Sequence, residues 1–156
     1  MMSTSCALQR ELCRTALFCL AAAPITLVDL RERRIPDALS LGGLFALAAW
    51  DAAVQPRVIP MEAAAAALGF ALFWALRLAT KALGFGDVKY AALIGFFVGL
   101  RYWFVAIFVA ALGALLYWVF AVYRLRRPPR ERIAFAPFLT LGAIAACALR
   151  IAGQSL

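Results

Sequence analysis

The chain has 156 residues, 66% of them hydrophobic, with 16 basic residues, 8 acidic residues and no histidine. A soluble domain is about 45–50% apolar, so this composition leaves too little polar surface for a water-soluble globule and indicates a single-domain, all-α, polytopic membrane protein over residues 1–156. Without histidine, Ser-His and Cys-His nucleophile pairs and His-based metal sites are excluded. The net charge of +8 falls in short loops between apolar segments, which is the pattern of membrane topology signals rather than of a nucleic-acid-binding surface.

A helix needs roughly 20 apolar residues to cross a bilayer. Six segments qualify or come close: 12–30, 38–54, 61–80, 88–100, 102–123 and 133–151. The first has Arg10 and Arg14 ahead of an apolar run and Ala21-Ala22-Ala23 within it, as a cleaved secretion signal would. Pro24 would follow the cut and the run continues through Val28, so an uncleaved span is expected. Cys6, Cys13 and Cys19 lie near or inside it, Cys147 lies in the last segment, and none forms a CxxC pair; they read as small hydrophobes. The fourth segment is short: its residues rise only about 20 Å, against roughly 30 Å of hydrocarbon. Either the membrane thins there or the Gly-rich turn before it dips inward.

Loops 1–2, 3–4 and 5–6 carry Arg31, Arg33, Arg34, Arg77, Lys81, Lys89, Arg124, Arg126, Arg127, Arg130 and Arg132. The opposite side carries Arg10, Arg14, Arg57, Arg101 and Arg150. The excess places the odd-numbered loops in the cytoplasm of an inner-membrane protein. The basic stretch 124–132 is expected to set orientation and meet anionic lipid rather than to bind substrate.

Eight acids remain to be sorted. Glu11 lies near the N-terminus, Asp51 and Glu62 flank the second loop, and Glu32 and Glu131 sit among arginines. Asp37 follows Ile35-Pro36 and reads as the N-cap of the second helix. Asp29 ends the first apolar run and Asp87 opens the fourth. The chain reaches Asp29 after one crossing and Asp87 after three, so both lie on the cytoplasmic face and can converge. An ionisable group at a span boundary is often an interfacial anchor, whereas one within a span is expensive and usually functional; the shared face is what sets these two apart.

Converging carboxylates resist joint ionisation and share a proton. One then activates water while the other polarises a carbonyl, without metal or cofactor. Gly84 and Gly86 precede Asp87 and tolerate positive φ or the close approach of another backbone. At the start of the fourth helix, the dipole favours the Asp87 anion and desolvation opposes it. Lys89 points away from Asp87 and is expected to snorkel to the interface. Ser40 has no lysine near it in sequence to act as a base.

These residues resemble a known family. Gly84-Phe85-Gly86-Asp87-Val88-Lys89 looks like the GxGDxK motif of the type IV prepilin peptidases, membrane aspartic proteases. Asp29 with Arg33-Arg34-Ile35-Pro36-Asp37 resembles their first-aspartate motif, and 133–143, IAFAPFLTLGA, resembles their last-helix PFGPFLALG segment. The resemblance runs from about residue 20 to 145, in the expected order, with Ala134 and Ala136 where Pro and Gly are usual. It implies removal of the short basic leader of prepilins or pseudopilins at the cytoplasmic face, by a cut after a glycine. It also implies that Asp29 and Asp87 are the catalytic pair, that Gly84 and Gly86 shape the turn presenting Asp87, and that Pro137 and Phe138 help to wall the site. Larger family members also methylate the new N-terminus and carry a cytoplasmic domain between their first helices. This chain resembles the short, peptidase-only members serving tight-adherence pili, with no methyltransferase or zinc domain. The alternatives are an ion-coupled carrier, whose acids usually lie near the midplane, and a non-catalytic pilus assembly factor.

Overall fold

Helices dominate the computed structural model, which describes residues 4–80, 83–125 and 134–154. They are α1 (Thr4–Glu32), α2 (Asp37–Val54), α3 (Ile59–Thr80), α4 (Phe85–Val98), α5 (Leu100–Leu125) and α6 (Ala136–Gln154), with a 3-10 turn at Pro56–Val58. All but α4 are long and apolar enough to cross a membrane. Their outer faces leave large apolar side chains uncovered, among them Leu20, Phe45, Phe104, Phe108 and Leu116. In water these would be a severe liability; in lipid they are the solvated surface. The chain is a multi-pass membrane protein.

The short fourth helix has a cause that the sequence reading did not include. Val88 and every residue from Tyr90 to Val98 are buried, so α4 is apolar all round because protein surrounds it. It touches α2, α3, α5 and α6. A helix that does not face lipid need not match the thickness of the bilayer. Its closest approach is to α3, through small residues four apart. A Cβ on Gly69 would lie 2.7 Å from the carbonyl oxygen of Ala91, and one on Gly95 would lie 2.5 Å from that of Ala65. Backbones that near each other require small side chains, the packing mode favoured where lipid supplies no hydrophobic drive.

Because α4 is short, its last carbonyls end inside the bundle, where no water satisfies them. Gly99, with φ +75°, turns the chain into α5, and its N–H returns to Gly95. Two arginines cap two more of them. Arg14 of α1 donates from Nη2 to the carbonyl of Phe96 at 2.9 Å, and Arg150 of α6 donates from Nη1 to that of Phe97 at 2.9 Å. Cations suit a helix C-terminus. Their charges are balanced in turn: Arg14 meets Asp51 at 3.1 Å and Glu62 at 2.5 Å, and Arg150 pairs with Glu11. Arg14, Asp51, Glu62 and Arg150 are all buried. By sequence these residues resemble loop charges; in the fold they surround the internal terminus of α4. Below them Phe18 stacks on Phe97, ring centroids 4.1 Å apart.

Candidate active site

At the other end of the bundle α1 finishes, α4 begins and α6 begins. Asp29 lies in the last turn of α1. Its carbonyl accepts the N–H of Arg33 at 2.9 Å, and Arg33 takes a left-handed φ of 53° that ends the helix. The Asp29 side chain is buried and faces α6. Its Oδ2 accepts the N–H of Ala136 at 2.9 Å, and the N–H of Phe135 also bears on it. The first N–H groups of a helix lack partners within the helix. Here Pro137 contributes none, Phe138 and Leu139 bond back to the carbonyl of Phe135, and Asp29 takes the exposed donors from across the bundle. The carboxylate is thereby held in one orientation by main chain.

Asp87 is the third residue of α4. Gly84 is the N-cap, extended at φ −71°, ψ 156°, and its N–H is accepted by Asp87 Oδ2 at 2.9 Å. This is the return half of a capping box. A Cβ on Gly84 would lie 3.2 Å from that oxygen, so glycine leaves the carboxylate room to fold back. Gly86 does something different from what the sequence suggested. Neither glycine uses positive φ, and the space beside Gly86 is filled by the chain's own Ile35, whose Cβ would stand 2.6 Å from an added methyl. The loop after α1 is pressed onto the first turn of α4.

That contact closes one side of a cleft of about 230 Å³. Asp29 and Asp87 both line it, together with Arg33, Arg34 and Ile35 from the loop and Gly84, Phe85 and Gly86 from the start of α4. At about 30 Å³ per water, it has room for several waters beside two carboxylates. Phe85 forms an aromatic wall. It meets Trp74 and Phe70 edge-on at 5.4 and 6.4 Å, with Arg77 at 5.8 Å and Lys89 at 4.4 Å from its ring centroid. Arg77 also donates to the carbonyl of Leu83 at 2.8 Å, tying α3 to the turn. Behind Asp29, the Thr140 hydroxyl holds Ala136 through its carbonyl at 2.9 Å and meets Tyr90 at 2.7 Å and Thr26 at 2.9 Å.

Four of the six residues named from the sequence thus line one cleft: Asp29, Asp87, Gly84 and Gly86. Pro137 and Phe138 are not among its lining. Phe138 instead packs on α5, 5.7 Å from the Tyr117 ring and 3.1 Å from the Cβ position of Gly113. The last-helix motif meets the site through the backbone of Phe135 and Ala136. Two further expectations are corrected. Asp37 is not the N-cap but the first residue of α2, after an N-cap at Pro36. Its Oδ2 meets Lys89 Nζ at 2.5 Å, so Lys89 is an internal partner and not a free interfacial anchor. The Ser40 hydroxyl is engaged with the carbonyl of Pro36 at 3.1 Å. Among the described residues no cluster of three or more Cys, Asp or Glu side chains suits a metal ion. Lys81 and the basic stretch 126–132 lie outside the described residues.

A bundle built on a buried half-length helix, with two acids at its mouth, defines a class of membrane protein with an internal polar site. The type IV leader peptidase family matches residues 16–119 of the chain, and the chain belongs to it. A prepilin leader peptidase/N-methyltransferase of Pectobacterium carotovorum subsp. carotovorum is 32% identical over 129 residues, covering 77% of this chain and 45% of that protein. The chain therefore spans about half the length of the curated relative it matches. No solved structure matches it.

Proposed function

We propose that this chain is an aspartic endopeptidase that removes the leader peptide of prepilins or pseudopilins at the cytoplasmic face of the inner membrane. The observation that carries the reading is the convergence of Asp29 and Asp87 on one cleft from separate helices. Membership of the type IV leader peptidase family supports it. Charge distribution supports the orientation: with Arg14 and Arg150 set aside as buried caps of α4 and Lys89 as the partner of Asp37, three basic residues remain in the outer loops of the sequence, Arg10, Arg57 and Arg101, against ten in the opposite loops.

In this mechanism a water molecule sits between the two carboxylates, which share one proton. The ionised partner takes a proton from water as the oxygen attacks the scissile carbonyl carbon. The protonated partner gives its proton to the carbonyl oxygen. The tetrahedral diol then collapses: the departing nitrogen takes a proton from the carboxyl that accepted one, the C–N bond breaks, and a diol hydroxyl returns its proton to the other carboxylate, which restores the pair sharing one proton. The products are a leader with a new carboxylate, ending in glycine, and a pilin with a new amine. The main-chain N–H groups on each aspartate keep the pair in place without costing the cleft a side chain. The aromatic cluster of Phe85, Trp74 and Phe70 offers an apolar surface beside the cleft to the hydrophobic segment that follows the cut.

The test is co-production with a small prepilin, followed by its length. Asp29→Asn and Asp87→Asn are each expected to leave the prepilin uncut while the enzyme accumulates in the membrane normally. Shortening at the wild-type rate by either variant would sink the assignment.

A further inference from the structure

Between Asp29 and the second helix lie only Leu30 to Pro36, and the later part of this segment is a wall of the cleft. It is held at three points. At its start, the Arg33 N–H bonds to the carbonyl of Asp29. In the middle, Ile35 packs on Gly86. At its end, Asp37 pairs with Lys89. The second and third points both fall on the first turns of α4, one residue before Asp87 and two residues after it. Lys89 is drawn in to make its contact: its side chain is 15% exposed, whereas that of Asp37 is 59% exposed. The same ammonium lies 4.4 Å from the centroid of Phe85, which also lines the cleft.

We propose that Lys89 and Asp37 are a positioning pair for the peptidase reaction, fixing the loop that follows Asp29 against the helix turn that carries Asp87. The inference rests on the aspartic-peptidase reading above. Neither residue lines the cleft. The pair acts on where the two carboxylates stand. Exposed ion pairs contribute little to folding, and with Asp37 mostly exposed the pair is not needed to hold the bundle together. Its geometry is what the site uses: removing it frees the end of the loop, and displacements of about 1 Å at a reacting centre lower rates by about 10²-fold.

The test is steady-state kinetics of the purified full chain in detergent micelles. The substrate is a peptide carrying a short basic leader, a glycine and an apolar helix. Lys89→Gln and Asp37→Asn are each expected to lower kcat by about tenfold or more with KM unchanged. The double variant is expected to lose no more than either single, because the two residues act as one unit. Lys89→Arg, which keeps the pair, is expected to stay within about threefold of wild type. Multiplying losses in the double variant, an effect on KM alone, or wild-type kcat in both single variants would each overturn the proposal. So would failure of the single variants to accumulate when Lys89→Arg accumulates, which assigns the pair to folding. Asp29→Asn and Asp87→Asn run alongside: if they cleave, the peptidase reading fails. If they are inactive and the pair variants are wild type, only the positioning role fails.

Discussion

Replacing Gly86 by alanine tests the cleft wall with one methyl group. The new Cβ would stand 2.6 Å from Ile35 Cβ, 3.1 Å from its carbonyl oxygen and 3.3 Å from its Cα. Carbon atoms rest at about 3.5–4.0 Å, so the two segments must separate by about 1 Å. No rotamer relieves this, since all three neighbours belong to the main chain or are bonded directly to it. Ile35 is also held by the following Pro36, whose φ is locked by its ring. Overpacking costs about 1–3 kcal/mol, and the better helix propensity of alanine returns up to about 1 kcal/mol. Net stability should therefore fall by roughly 0–3 kcal/mol. Activity should fall further, because the separation falls between Asp29 and Asp87, and about 1 Å there is worth about 10²-fold in kcat. The control is Gly42→Ala in α2, where a Cβ meets nothing within 4 Å. It should gain about 0.5–1 kcal/mol and cleave normally. Unfolding in detergent and single-turnover cleavage read the two quantities separately. A Gly86→Ala enzyme that cleaves within about threefold of wild type would refute the positional reasoning.

Two further outcomes concern the frame of the site. Arg14→Met leaves Asp51 and Glu62 buried beside an uncapped Phe96 carbonyl, and breaking such a buried pair costs about 3–5 kcal/mol; denaturant titration in micelles checks this, and a loss below about 1 kcal/mol would show that the charges are not desolvated. Thr140→Val keeps the volume but removes the hydroxyl that meets Ala136, Tyr90 and Thr26. A loss of about 1–3 kcal/mol is expected from the polar atoms left unpartnered, with kcat reduced because Ala136 positions Asp29; an unchanged melting temperature would contradict that account.

The composition and the spacing of apolar runs made the helical membrane fold legible, and the parity of crossings brought Asp29 and Asp87 to one end before any coordinates. Roles that depend on who touches whom were not legible. Gly86 read as open backbone because a sequence shows a missing side chain but not what occupies the space; here it is Ile35. Asp37 read as a helix cap because capping is local, whereas its partner Lys89 lies on another helix. Phe138 read as part of the site because it sits in the motif, although the motif meets Asp29 through the N–H groups of Phe135 and Ala136, which any residue but proline supplies. The buried charges left a faint signal. Arg14 and Arg150 lie inside or at the edge of apolar runs and not in the loops between them. A short apolar segment with charges at membrane depth nearby is the combination from which a buried helix end could have been read.

The caps on α4 also constrain how the protein is made. Its inner terminus is finished by a residue from the first helix and a residue from the last, Arg14 and Arg150. During synthesis α4 enters the membrane with Arg14 already present, but the carbonyl of Phe97 waits for two more helices to arrive. Until then the short helix has neither the length to be a stable span nor a complete set of partners. Final assembly of the central helix is thus a late event, coupled to insertion of α6. The same helix that delivers Arg150 at one end delivers the N–H of Ala136 to Asp29 at the other. One helix therefore completes the partners of both the inner terminus of α4 and the Asp29 carboxylate.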